Sequence, residues 1–507
     1  MRLPLRIGPG AAPLVAGLAI GVLCVIGVSG YPYRPGTDDL QYIGLAFSFA
    51  LGDGLVIPGQ VPVAGWHFPP GWPLVLSWPF AVGFSPSMVA LLAGLFGAAC
   101  MGMAAALWAK LFARELGSGW GALAAIWPLT AYPVVLIAPS AQSEPLGALL
   151  FAALAYWILT EPPGKRRAAV DAAVLAAGLA AMVLLRTILI VLWLPLLWES
   201  RRRLPRRWIA GSAVAAMFVV WLVTGLTAVD PPGISYLDVA RLSWEGGLDS
   251  VGASSLVNNW QAAGLVLAEF LISPVPFSSH LAGIVGRTTL LVLGALLASG
   301  LVATALIVAR RGSLAVMSTA PFLLTAPFLA GYPYWVDTRF VVPACALLGF
   351  LAVSGVVRLP ARYRQVAAVL LCGWVLLGGL WWARLARAYP ETQRAVMEDA
   401  SVLHERITGE FGPDARLCAE EPEVLWWVNA ASRACRLMYP GDGLVSDSRR
   451  LALVEQRLEA ASPTCVAFRP TYELGVHVLP LDSLGYTRKL DGGWFVARCL
   501  PAPTPIP

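Results

Sequence analysis

Charge is scarce in this chain. Lysine, arginine, aspartate and glutamate make up 13% of its 507 residues, 58% are hydrophobic, and the mean hydropathy is +0.69. A soluble domain carries about 25% charged residues, so the bulk of the chain is not a water-soluble globule. Histidine is scarcer still. His67, His280, His404 and His477 have no metal-ligand spacing, so no zinc site can be read from them. There is no phosphate-binding GxxxxGK[ST], no GxGxxG beside a strand and no HExxH, which removes the common nucleotide and metalloprotease signatures. The alternating ten-residue segments of a membrane barrel are missing. So is any internal repeat of the kind from which inverted-topology transporters are built. The net charge of +6 sits in short clusters between apolar runs. It is orientation information rather than a nucleic-acid footprint, and no nucleic-acid partner is expected.

What the chain does have is apolar runs of span length, which predict an all-α polytopic membrane protein. Expected spans lie at roughly 11–30, 86–109, 119–138, 145–160, 168–185, 187–199, 208–228, 288–309, 313–331, 339–357 and 365–383, about eleven in all. The first is expected to stay uncleaved, because it is long for a signal peptide and no clear A-x-A site follows. Basic clusters lie at Arg2/Arg6, Lys110/Arg114, Lys165–Arg167, Arg201–Arg203 with Arg206/Arg207, Arg310/Arg311, and Arg358/Arg362/Arg364. Setting all of them in the cytoplasm obeys the positive-inside rule. It then requires 70–84, with Pro70, Pro73 and Pro79, to lie in the outer interface rather than cross. It also requires 168–199 to cross twice, turning outside near Arg186 and Thr187, with a short second arm. The segment 263–273 is likewise interfacial or re-entrant.

Residues 391–507 hold 16 of the 30 acids and no span-length apolar run. They are expected to form a separate soluble α/β domain outside the membrane, following a transmembrane domain of residues 1–390 whose outer loop and juxtamembrane helices occupy 31–84. Strands are expected in 415–419, 433–438, 463–468 and 493–500, and helices at 421–431 and 447–461. Cys418, Cys435, Cys465 and Cys499 would meet an oxidising compartment, either as disulfides of unassigned connectivity or as buried thiols. Cys24, Cys100, Cys345 and Cys372 lie in spans and read as packing residues.

Parity brings Asp38, Asp39, Glu144, Arg186, Asp337 and Arg339 to the same outer surface, from four separate segments. Charge at the hydrocarbon boundary is costly and marks a site. Each also has a local reading. Asp38 and Asp39 suit the first turn of a helix at 39–52. Glu144 suits the helix beginning at Pro145, Arg186 suits a snorkelling helix end, and Arg339 suits a bridge to Asp337 or to a first-loop acid. His67, beside the Pro-rich outer segment, reads first as a packing or interface residue. In 229–286, Trp244, Asn258, Asn259 and Trp260 could stack on and bond a sugar, or could be ordinary interfacial residues.

The order of motifs resembles the class C glycosyltransferase fold. Asp38-Asp39-x-x-Tyr42, then Gly52-Asp53-Gly54-Leu55 and HFPPGWPLVL (67–76), are similar to the first outer loop of the protein O-mannosyltransferases and their bacterial relatives, among them the lipid A aminoarabinose transferases. SEPLGALLF, LLRTILIVLWLP and DTRFVVPACALL follow in the family's order. There are departures. The family often has Asp-Glu where this chain has Asp38-Asp39. Phe68 replaces a lysine associated with lipid phosphate in the lipid A branch. Phe340 follows Arg339 where a tyrosine is usual.

The resemblance implies a bacterial inner-membrane enzyme with its N-terminus inside and its C-terminal domain outside. It would take a hexose or pentose from a polyprenyl-phosphate donor to an outer hydroxyl acceptor on a lipid, glycan or protein. Asp38 would be the general base and Asp39 its neighbour. Arg186 and Arg339 would bind donor phosphate, and Tyr42, His67 and Asp337 would contact substrate. Glu144 would position the acceptor, orient a basic group, or share a divalent cation with the aspartates. No motif demands a cofactor, and the metal stays unassigned. A flippase or a ligase for lipid-linked glycan is the competing expectation.

Overall fold

A computed structural model describes residues 8, 10–30, 38–55, 68–160, 168–227, 313–329, 338–380 and 382–384, isolated residues 267, 270, 405 and 409, and five short strands between 417 and 497. The expected span 288–309, His67, Asp337, the tail helices and nearly all of 229–286 lie outside the described residues.

The helices are α1 (Ala11–Gly30), α2 (Asp38–Leu51), α3 (Gly71–Ala81), α4 (Pro86–Leu116), α5 (Ser118–Leu129), α6 (Tyr132–Ile137), α7 (Glu144–Thr160), α8 (Ala168–Leu185), α9 (Trp193–Ser200), α10 (Arg206–Thr227), α11 (Ser313–Met317), α12 (Ala320–Leu329), α13 (Ala346–Val357) and α14 (Ala361–Arg384). Among the described residues five helices, α1, α4, α8, α10 and α14, are long and apolar enough to cross a membrane by length and composition. Helix α3, with 11 residues, is too short to cross, since a span needs about 20.

Several expected segments differ in detail. Helix α4 continues to Leu116 and carries Lys110 and Arg114 on its last turns, where a loop is expected from the charges. It stops at Gly117, whose φ of 83° suits only glycine. The expected 119–138 span is divided between α5 and α6, with Pro128 closing one helix and Pro133 opening the next. The expected 313–331 span is likewise two pieces, α11 and α12.

The 168–200 stretch folds back on itself. Helix α8 is followed by extended Arg186 (φ −159°, ψ 120°), a 3-10 segment Thr187–Leu192, and α9. Trp193 Nε1 donates to the Leu179 carbonyl at 3.2 Å. Arg203 Nη2 lies 3.4 Å from Asp171 Oδ2, so the end of the return arm meets the start of α8. The arm's shortness is met by its pitch. Six 3-10 residues rise about 2.0 Å each and eight α residues about 1.5 Å, giving roughly 24 Å against about 27 Å for α8. A second 3-10 segment, Thr338–Ala344, leads into α13.

The main core lies among α1, α4, α5, α7, α8, α9 and α13, with Phe151, Trp108, Phe112 and Phe350 in contact ring to ring in that order. Helix α14 returns to α1, where Trp382 Nε1 donates to the Leu23 carbonyl at 3.1 Å. A smaller core joins α2 and α3 to the start of α4 through Tyr42, Phe68, Trp72, Leu76 and Val89.

In the tail, strands β1 (Leu417–Ala419), β2 (Ala434–Arg436), β3 (Cys465–Phe468), β4 (Arg488–Asp491) and β5 (Trp494–Ala497) form one sheet in the order β2-β1-β3-β5-β4. The first three are parallel and the β3–β5–β4 pairs antiparallel. Four strands fall inside the four segments expected from sequence, and β4 is additional.

Candidate functional site

The two ends of α7 differ in chemistry, and they are about 24 Å apart at 1.5 Å per residue. At its C-terminal end Lys110 sits 5.0 Å from the centre of the Tyr156 ring, and Arg114 reaches the Leu159 carbonyl at 3.4 Å. Arg203 donates to the Trp157 carbonyl and lies 4.2 Å over that residue's ring. Lys110, Arg114 and Arg203, from two of the basic clusters, therefore meet at this end of α7.

Glu144 opens the other end. The chain reaches it by lying directly on α4, which is why small residues face it there. A Cβ on Gly97 would meet the Ala138 carbonyl oxygen at 2.4 Å, and one on Gly94 the Pro139 oxygen at the same distance. Trp72 of α3 fixes the other side of this stretch by donating Nε1 to the Ala141 carbonyl at 2.7 Å. The tip of the α8 hairpin is brought in similarly, since a Cβ on Gly71 would meet the Leu184 carbonyl at 2.7 Å.

These close approaches assemble a buried polar cluster. Glu144 Oε1 pairs with Arg186 Nη1 at 2.8 Å, the two side chains being 0% and 4% exposed. Arg186 Nη1 also donates to the Tyr42 hydroxyl at 3.3 Å, and Tyr42 packs against the ring of Phe68. The Arg186 guanidinium stands 4.8 Å from the centre of the Phe340 ring, and that of Arg339 stands 5.4 Å from the same ring. Beside this, Gln142 Nε2 donates to Asp39 Oδ1, and Asp39 is fully buried. A guanidinium stays charged at any working pH and presents several N–H donors, which suits an anionic oxygen cluster. Flanking it with a carboxylate, a phenol and an aromatic face fixes its direction.

The expected residues therefore fall into groups. Asp39, Tyr42, Glu144, Arg186 and Arg339 belong to one neighbourhood, linked through Gln142 and Phe340. Asp38 is the first residue of α2, and its side chain lies outside the described residues, as do His67 and Asp337. Among the alternatives for Glu144, orienting a basic group is the one with a visible partner. Among the described residues, no group of three or more His, Cys, Asp or Glu side chains is placed to hold a metal ion.

Gln142 and Phe340 are the members of this neighbourhood that sequence reading passes over. An uncharged amide beside a charged neighbour gives no signal. Phe340 is noticed only as a departure from a pattern.

No protein-family model matches the chain, and no curated protein matches it by sequence. Solved structures do match by shape. ArnT from Cupriavidus metallidurans bound to undecaprenyl phosphate superposes with a TM-score of 0.53 at 14% identity, covering 95% of this chain and 97% of that one. The Archaeoglobus fulgidus oligosaccharyltransferase in complex with Zn and sulfate gives a TM-score of 0.53 at 12% identity, covering 97% of this chain and 74% of that one. The same archaeal enzyme tethered to an acceptor peptide with an NVT sequon gives a TM-score of 0.53, also at 12% identity, over 99% and 75%. At such identities the likeness speaks for architecture, and it extends over nearly the whole chain. The chain has the class C fold of membrane glycosyltransferases.

Proposed function

We propose that this protein is a membrane glycosyltransferase that moves a sugar from a polyprenyl-phosphate donor to a hydroxyl acceptor on the outer face of a bacterial inner membrane, with inversion. The observation that carries the reading is the buried Glu144–Arg186–Tyr42 group, with Arg339 sharing the Phe340 ring. In an apolar bundle, two arginines at one end form a seat for an anion. Burial strengthens each contact they make. The undecaprenyl phosphate bound by the similarly folded ArnT supports an anion of that class. The basic clusters at the far end of α7 support an outward-facing site under the positive-inside rule. Residues 391–507 then form a domain outside the membrane, following a transmembrane domain of residues 1–390.

In the reaction, a carboxylate takes the proton of the acceptor hydroxyl as its oxygen forms a bond to C1 of the sugar. The bond from C1 to the phosphate oxygen breaks, and polyprenyl phosphate leaves with the electron pair. Asp38 is assigned the base, while Asp39 is the member of the pair held by Gln142. Arg186 and Arg339 stabilise the charge that grows on the leaving phosphate. Glu144 keeps Arg186 aimed.

The assay is release of farnesyl phosphate from farnesyl-phosphate-linked sugars by the purified protein in nanodiscs. Asp38→Asn and Arg339→Ala should each lower turnover about 10²- to 10³-fold. Turnover at the wild-type rate in both would overturn the assignment.

A further inference from the structure

Ser143 is the residue from which α7 starts. Its carbonyl accepts the first helical hydrogen bond, from the Gly147 amide at 3.0 Å. A serine in this place ordinarily turns its hydroxyl onto an amide two or three residues further on. Here Ser143 Oγ is fully buried and has no hydrogen-bond partner among the described residues. The same is true of Oε1 of Gln142, the residue before it. A carboxylate can only accept, so the Gln142 atom facing Asp39 is the amide nitrogen. The carbonyl oxygen therefore faces elsewhere.

Several other buried hydroxyls among the described residues behave differently. Those of Thr130, Ser140, Ser200 and Ser318 donate to carbonyls three or four residues back, at 2.7–2.8 Å. This is how a hydroxyl is satisfied within an apolar helix. Ser143 and Gln142 depart from that habit, and they do so side by side. Buried polar atoms without partners destabilise a fold, so each calls for an explanation.

Their position supplies one. Both lie between Asp39, which Gln142 holds, and Glu144, which pairs with Arg186. In a polyprenyl-phosphate monosaccharide the sugar is bonded directly to the phosphate. A group that reads the sugar must then lie within about one ring's breadth of the group that holds the phosphate. Ser143 is the chain neighbour of Arg186's own partner. Gln142 Oε1 is an acceptor only, and Ser143 Oγ both accepts and donates. Together they match neighbouring hydroxyls on a sugar ring.

We propose that Gln142 Oε1 and Ser143 Oγ are the sugar-reading groups of this site, bonding hydroxyls of the donor's sugar ring. The inference rests on the polyprenyl-phosphate donor reading above.

The experiment measures binding of farnesyl phosphate, and of farnesyl phosphates carrying mannose, glucose, galactose or arabinose, to the full chain in nanodiscs. Wild type should bind at least one sugar-bearing probe more tightly than farnesyl phosphate. Ser143→Ala and Gln142→Met should each remove about three- to tenfold of that gain, the worth of one hydrogen bond. Farnesyl phosphate affinity should be kept within about twofold in Ser143→Ala. Ser143→Ala should leave the melting temperature of the unliganded protein unchanged or raised, because it deletes a hydroxyl without a partner. A wild-type sugar gain in both variants overturns the proposal, as does a loss of stability in Ser143→Ala with the gain intact. A wild type that binds farnesyl phosphate but gains nothing from any of the four sugars overturns it and leaves the donor-phosphate reading standing. Failure to bind farnesyl phosphate at all overturns both.

Discussion

Glu144 and Arg186 meet at 2.8 Å with both side chains buried, at the start of α7 and the tip of the α8 hairpin. Removing one partner of such a pair leaves a charge in an apolar interior. Arg186→Ala should cost about 3–5 kcal/mol of stability. Arg186→Lys keeps the charge but loses the planar fork, and should fold while losing turnover. Thermal unfolding of the two variants in detergent, set beside release of farnesyl phosphate, checks the distinction. Equal melting temperatures for wild type and Arg186→Ala would mean that the pair is not formed.

A bulkier residue at Gly97 should act on the site from a distance. Its added Cβ would fall 2.4 Å from the Ala138 carbonyl, part of the backbone that leads to Glu144. Gly97→Val should cost on the order of 1–3 kcal/mol by overpacking, and should lower turnover more than Gly355→Val, where a Cβ meets nothing within 4 Å. The comparison needs both melting curves and rates. Similar turnover in the two variants would show that the 138–144 backbone is not seated by α4.

Phe340 presents its ring to two guanidiniums, at 4.8 and 5.4 Å. A cation over an aromatic face is worth about 0.5–2 kcal/mol. Phe340→Leu keeps much of the apolar volume and removes the face. Farnesyl phosphate affinity should fall about two- to thirtyfold, the range those energies span, while Phe340→Tyr should stay near wild type. Titration of all three proteins with farnesyl phosphate decides it, and unchanged affinity in Phe340→Leu would leave the ring as packing alone.

Cys418 and Cys435 are register partners on the parallel strands β1 and β2. Neighbouring strands lie about 4.8 Å apart, inside the Cα range of a disulfide. If the tail lies on the outer face, as proposed, peptide mapping without reduction should find these two joined. Quantitative alkylation of both thiols before reduction would count against that pairing, and against an oxidising location for the tail.

The polytopic helical architecture was legible because twenty apolar residues in a row have few alternatives. Parity expects Glu144, Arg186 and Arg339 on one face; Glu144 and Arg186 pair at the start of α7, and Lys110, Arg114 and Arg203 contact its other end. Which charge meets which was not legible. Asp39 is held by Gln142, 103 residues further on, and nothing local in either stretch announces that bond. The breaks near Pro128 and Pro133 were foreshadowed by proline. The 3-10 winding of Thr187–Leu192 was not, since an apolar run reports burial and leaves pitch unstated.

That winding sets the length of the hairpin's return arm. Rewound as α-helix, its six residues would shorten by about 3 Å and turn through about 120° less. Arg186 stands on top of the arm, while Arg203 is moored at its foot by Asp171 and Trp157. On the proposed donor reading, the depth at which the Arg186 guanidinium would meet a membrane-borne anion is set by backbone pitch below it as well as by the side chains around it.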